Sequence, residues 1–388
     1  MADRNGSILF SPHRPKAIIR LLDSSTFEVT LHSRLSVEDV LGLIAEKFEI
    51  SNLDSRFFAL SINDEVGNFH WLDSSLILKD LAAASANPHG NLILSHHVRF
   101  FVEGISEVQS ASTAKFYFLE VQNQFIRHEL ICNFDDYHEL AAILVALFAP
   151  DCQEETIREA ISRVLINSHP SYILLKSDGE EVEKRIYERF LNCRRMPQGT
   201  AIMRFLKIAE RSESYGYRMY ELLNDDGDKC LVSIGSNGVY VYKRSRNMNV
   251  ITPFMAFQWR YIDNLYYREN KFSIEIRPPK RDSKNEDNRI DDDTLVNDRQ
   301  LFEAFSHPTT QVITTIRRNH QQQFRPLIYN FTCSSSLLCR TVWSSAIAQH
   351  QFFLDQKALK RVRPLLRLSH FVISTSTTHN GRYDNESS

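Results

Sequence analysis

The chain has 388 residues, which at roughly 100 to 200 residues per domain corresponds to about two to four domains. Its 46 Lys and Arg against 48 Asp and Glu leave a formal net charge of −2, which argues against bulk binding to phosphate backbones, so no nucleic-acid partner is expected. Apolar residues at 43% and aromatics at 11%, with 12 Gly and 12 Pro, exclude a disordered, collagen-like or disulfide-dense chain. Residues 1–15 read as an N-terminal tail without the apolar core of a secretion signal, and Ala2 excludes N-myristoylation. The longest apolar run, Ala141 to Ala149, is about half the ~20 residues that cross a bilayer, so no transmembrane segment is expected.

From Lys16 the run AIIRLL, the turn Asp23-Ser24-Ser25 and the alternating FEVTL predict a hairpin. Val37, Val40, Leu41, Ile44, Ala45 and Phe48 then share one helical face, opened by a capping box at Ser36 and Asp39. Apolar runs at Phe57, at Trp71 and ending at Phe101 complete a first lobe, residues 16–103, in the order of a ubiquitin-like roll. Between 104 and 211 four amphipathic stretches predict a small helical bundle. They are YHELAAILVALFA, EETIREAISRVL, EEVEKRIYERFL and TAIMRFLKIAER.

From 212 to 356 the period returns to two. KCLVSIGSNGVYVYKR predicts a hairpin about Asn237-Gly238, and FMAFQW, IDNLYY, KFSIEIR and LIYNFTC predict further strands. A charged segment, residues 281–320, interrupts them as an insertion, and a helix from Ser335 to Leu354 closes the lobe. Antiparallel strands capped by one helix fit a PH or phosphotyrosine-binding sandwich. Residues 357–388 read as a basic, then polar, tail.

Motifs for chemistry are absent. There is no GxxxxGK[ST], GxGxxG or HCxxxxxR. His138-Glu139 begins an HExxH, but Ala142 replaces the second zinc ligand. Asn224, Asp226 and Asp228 surround Gly227 without a calcium loop's closing glutamate, and a polar turn accounts for them. His350 falls on the apolar stripe of the last helix, as a core histidine does. The cysteines Cys132, Cys152, Cys193, Cys230, Cys333 and Cys339 form no CxxC and read as reduced structural thiols. No cofactor, no metal and no enzymatic activity are expected.

IIRLLDSSTFEV, WLD and HHVRFFVEGI resemble the first lobe of a FERM domain. TAKFYFLEVQNQFIRHEL and FLKIAERSESYGYRMYEL are similar to the start and exit of its second. VSIGSNGVYVY, QWRYIDNLYYRENKFSIEI and TVWSSAIAQHQFFLDQK resemble its third, and the resemblance runs over residues 16–356, closest to scaffolds of cell junctions and epithelial polarity. It implies an α+β fold, a three-lobed FERM cloverleaf of ubiquitin-like roll, acyl-CoA-binding-protein-like helical bundle and PH/PTB-like sandwich with C-terminal helix. The function it implies is a non-enzymatic adaptor or scaffold on the cytoplasmic face of the plasma membrane or at cell junctions, with membrane-protein tails or scaffold proteins as partners. A membrane-cytoskeleton linker is the alternative within the family.

The resemblance places a peptide groove along Ile262, Asp263, Asn264, Leu265, Tyr266, Tyr267 and Arg268, with Val342 and Ala346 on the facing helix. The residues themselves offer a second surface, for anionic phospholipid: Lys280, Arg281, Lys357, Lys360, Arg361 and Arg363, each worth about 1 kcal/mol beside an anionic leaflet. The chain departs from phosphoinositide-binding relatives at Asp73, Leu76 and Ile77, where those carry lysines.

Overall fold

The computed structural model describes residues 15–64, 67–84, 91–102, 104–165, 169–174, 177–212, 214–244, 251–276 and 327–377. Three lobes are present. In the first, β1 (Lys16–Arg20) and β2 (Thr26–Thr30) form the expected hairpin, and α1 (Val37–Lys47) follows. The Ser36 hydroxyl accepts from the Asp39 N–H, and the Asp39 carboxylate accepts from the Ser36 N–H, so two orphan donors of the helix end are satisfied reciprocally. β3 (Phe58–Asn63), β4 (Phe69–Trp71), α2 (Leu78–Ala84) and β5 (Leu92–Val98) complete the lobe. Its sheet runs β2-β1-β5-β3-β4, with β1 and β5 parallel at the centre.

Among its described residues the second lobe has six α-helices where the sequence suggests four: α3 (Ala111–Ile126), α4 (Phe134–Phe148), α5 (Ile157–Leu165), the single turn α6 (Ser171–Leu174), α7 (Gly179–Cys193) and α8 (Gln198–Ala209). TAKFYFLEVQNQFI forms α3, whose apolar residues spread around most of its circumference because it is buried on several sides.

In the third lobe β6 (Arg218–Leu223), β7 (Lys229–Gly235), β8 (Gly238–Arg244), β9 (Ile251–Gln258), β10 (Ile262–Arg268), β11 (Lys271–Ile276) and β12 (Leu327–Thr332) order as β10-β11-β12-β6-β7-β8-β9. β12 meets β6 at one pair only, Thr332 opposite Leu223, and Phe257 of β9 packs 4.9 Å from Tyr329 of β12. The sheet therefore folds over at that junction into a sandwich, which α9 (Ser336–Thr377) closes.

The β7–β8 turn is Ser236-Asn237, one residue earlier than the Asn-Gly signal suggested. Gly238 opens β8 at φ +156°, where a Cβ would lie 2.1 Å from the Phe257 carbonyl oxygen, so close backbone approach accounts for this glycine. The last helix also differs from expectation. It continues past Leu354 to Thr377, because Lys357-Ala358-Leu359-Lys360-Arg361 are strong helix formers with no capping stop, and the basic run expected to follow the helix is part of it.

The lobes share cores. The helical core takes in Phe57, Phe58 and Val98 from the first lobe and Phe352 from α9. The Phe352 ring stacks on Phe100 at 4.8 Å and meets Phe57 edge-on at 6.0 Å. His70 of β4 is buried, with Nδ1 2.6 Å from the Thr341 hydroxyl of α9 and Nε2 3.0 Å from the Asp64 carboxylate. Burial opposes the charge on Asp64, yet bonds from His70 and Asn68 hold its pKa down to about 2.

Candidate functional site

β10 is an edge strand, and the turn that closes it onto β11 is Glu269-Asn270, with Glu269 at φ +52°. In a two-residue hairpin the closing pair, Arg268 with Lys271, exchanges hydrogen bonds, and the pattern then alternates. Tyr266 and Asn264 therefore bond back to β11, while the backbone groups of Leu265 and Tyr267 point outward, the direction in which a further strand would add. The Leu265 carbonyl is already used: the Trp343 indole N–H of α9 donates to it at 3.0 Å, and the Trp343 ring lies 4.9 Å from Tyr267.

The side chains divide by pleat. Leu265 enters the sandwich core and Tyr267 packs at its margin. Asn264 and Tyr266 turn to the other side and both donate to Glu275 of β11. Burial, then the Glu275 carboxylate, raise the Tyr266 phenol well above its usual range. Ile262 is half-buried and packs against the core, Asp263 sits where the register shifts, and Arg268 is exposed.

Val342 and Ala346, expected to line the groove, are fully buried in the core of the third lobe. They form the floor under α9 and cannot touch a ligand; Trp343, one residue on, is the helix residue at the strand edge. The basic surface is only partly within the described residues. Lys280 and Arg281 lie outside them, Lys357 is exposed with its Nζ 4.2 Å from the Phe353 ring centre, and Lys360, Arg361 and Arg363 occupy helical positions further along α9. His350 stacks 5.2 Å from Trp259, and burial, then Lys357, push its pKa down to about 4.

Sequence reasoning missed a polar centre where the lobes meet. Glu120 of α3, 2% exposed, accepts from His97 Nδ1 (2.9 Å) and the Val98 N–H (3.2 Å) of β5, and pairs with Arg218 of β6 at 3.4 Å. Burial disfavours its charge, but His97, Arg218 and the Val98 N–H outweigh that and hold its pKa at about 2. The signal available was a lone charge inside the apolar alternation of HHVRFF and KFYFLEV. Among the described residues no group of three or more His, Cys, Asp or Glu is placed to hold a metal, and all six cysteines are free and buried. No described helix is long and apolar enough to cross a membrane.

A roll, a helical bundle and a sandwich that share cores, with the β10 edge beside the closing helix, define a three-lobed module. Residues 19–83 match the FERM N-terminal domain, 103–220 the FERM central domain and 224–361 the FERM C-terminal PH-like domain, and the chain belongs to the FERM family. Moesin/ezrin/radixin homolog 2 of Drosophila melanogaster is 23% identical over 65% of this chain and 39% of its own length, and human Protein 4.1 is 22% identical over 67% and 28%. The chain thus spans less than half of either relative. Among solved structures, the FERM and C-terminal domain complex of Drosophila Merlin aligns with a TM-score of 0.61 at 18% identity, over 89% of this chain and 98% of that one. A mutant of the Dictyostelium discoideum Myosin VII MyTH4-FERM MF2 domain aligns at 0.58 and 14%, over 86% and 61%. FERM domains are non-catalytic adaptor modules and in general bind membrane-protein tails and scaffold proteins.

Proposed function

We propose that this chain is an adaptor at the cytoplasmic face of the plasma membrane or at cell junctions, and that it holds extended peptide from a membrane-protein tail or a scaffold protein along β10. The observation that carries this reading is the outward-facing backbone of Leu265 and Tyr267 beside α9, since an added strand gains affinity from such groups and specificity from alternate side chains. A Tyr267→Pro substitution removes an outward N–H without removing a ladder bond to β11, whereas Tyr267→Ala removes only the ring. Peptides selected on the wild-type chain are expected to bind Tyr267→Pro at least tenfold more weakly than Tyr267→Ala. Equal binding by the two variants would show that strand addition is not the mode.

A second reading rests on α9 continuing to Thr377 with no acidic residue after Gln356 and with Lys357, Lys360, Arg361 and Arg363 in its course. It makes the chain a peripheral binder of anionic lipid. Sedimentation with phosphatidylserine vesicles that weakens between 0.05 and 0.3 M salt supports it, and indifference to vesicles removes it.

A further inference from the structure

We propose that the recess where the three lobes meet is a receptor for a single carboxylate group. It is lined by Trp71 and Arg99 from the first lobe, Gln124 from the second, and Arg218, Tyr220 and Gln349 from the third. Its volume is about 20 Å³, and since a water needs about 10–15 Å³ on this measure, it holds one or two oxygen-sized atoms. That matches the two oxygens of one carboxylate and is too small for an inositol phosphate.

The lining is rich in donors and short of acceptors. The Arg99 guanidinium lies against the rings of Trp71 (5.5 Å) and Phe100 (5.0 Å) and makes no hydrogen bond or ion pair with any described residue. Burial pushes its pKa down to about 10, opposed by Tyr220 and Asp73. Asp73 is engaged locally, accepting from the Ser75 N–H at 2.9 Å and the Ser75 hydroxyl at 2.6 Å.

Arg218 packs 4.1 Å over Phe69 and gives one nitrogen to Glu120, which His97 and Val98 already engage. Gln349 is 6% exposed, and its side-chain amide has no hydrogen-bond partner among the described residues. Donors that face a recess with room for only one or two waters lose part of their hydration, and two guanidinium groups against the same Trp71 ring repel. A carboxylate relieves both, because its planar oxygens fit the rigid guanidinium fork, which a spherical halide does not. The group arrives either as a free small acid or on an acidic peptide side chain. No residue of β10 lines the recess.

The test follows the Arg99 Nε–H and Gln349 amide resonances of the full chain at pH 7. The probes are sodium acetate, N-acetyl-glutamate amide, inorganic phosphate and sodium chloride at equal ionic strength. Acetate is expected to shift both resonances saturably, with half-saturation on the order of 1 mM. R99K, which keeps the charge and loses the fork, is expected to weaken binding at least tenfold. Q349M, which keeps the shape and loses the amide, is expected to weaken it severalfold and serves if R99K does not fold. Binding of acetate alone identifies a free acid as the source, and binding of the capped glutamate identifies a peptide side chain. Non-saturating shifts, an equal response to chloride, or tighter binding of phosphate would overturn the proposal.

Discussion

Glu120 joins all three lobes, from α3 to His97 and Val98 of β5 and to Arg218 of β6. Its pKa is held at about 2 in the fold against 4.5 for an unperturbed glutamate. At 1.36 kcal/mol per unit, that difference amounts to about 3 kcal/mol of stability at neutral pH. Because the folded pKa lies below the unfolded one, the unfolded chain binds more protons between pH 2 and 4.5, and the contribution, complete above about pH 5, is lost as pH falls. From pH 5.5 to pH 3 the loss comes to about 2 kcal/mol. Glu120→Gln keeps the shape but cannot titrate, so it is expected to cost about 3 kcal/mol at pH 7 and about 2 kcal/mol less than that at pH 3. Urea unfolding of both proteins across this range measures the difference. A difference between wild type and variant that stays constant from pH 7 to pH 3 would refute the reasoning.

Gly238→Ala drives a Cβ toward the Phe257 carbonyl and is expected to cost about 3 kcal/mol or more, against about 1 kcal/mol for Gly227→Ala, where φ is also positive but the space is open. Equal urea midpoints for the two would dismiss the close-approach argument. Phe352→Ala empties a site shared by α9 and the helical core, and a loss of about 3–5 kcal/mol is expected; a loss below ~1 kcal/mol would mean that Phe352 does not bind α9 to the other lobes. Thr341→Val leaves His70 Nδ1 without its partner, with an expected cost of about 1–3 kcal/mol and faster amide exchange at Phe69 to Trp71. Unchanged exchange there would contradict the role of this bond in joining the first and third lobes.

Local signals carried most of the elements. The Ser36 and Asp39 capping box, the α1 stripe and the alternation of IDNLYY each depend on neighbours within a few residues, and each element formed as expected. The failures are positions decided by distant chain. Asn237-Gly238 is a turn signal and makes Gly238 a turn glycine in the sequence, whereas the Phe257 carbonyl nineteen residues away accounts for it. Val342 and Ala346 were placed at the groove because they share the helix with it, but a rotation of one residue puts them in the core and Trp343 at the edge. Glu120, His97 and Arg218 stand on three elements, and Arg99 just past the end of β5, spread over more than a hundred residues, so no spacing rule could gather them.

α9 also decides how the β10 edge can open. Thr341 is tied to His70, Phe352 is wedged between Phe57 and Phe100, and Leu338, Cys339, Val342 and Ala346 are buried in the sandwich, so moving the helix off β10 would break contacts with every lobe at once. Rotating the half-buried Trp343 indole breaks the bond to Leu265 and the ring contact with Tyr267 but leaves the helix in place, so on the proposed strand addition the edge is expected to open through Trp343. A hydrogen bond of this kind is worth about 0.5–1.5 kcal/mol net, which a strand adding at Leu265 has to displace. Trp343→Phe removes the indole donor and keeps an aromatic ring beside Tyr267. It is expected to raise the affinity of groove peptides about threefold to tenfold while leaving the Glu120 pH profile unchanged. Affinity that stays the same or falls would mean that the indole does not compete with the incoming strand and that peptides approach β10 elsewhere along its edge.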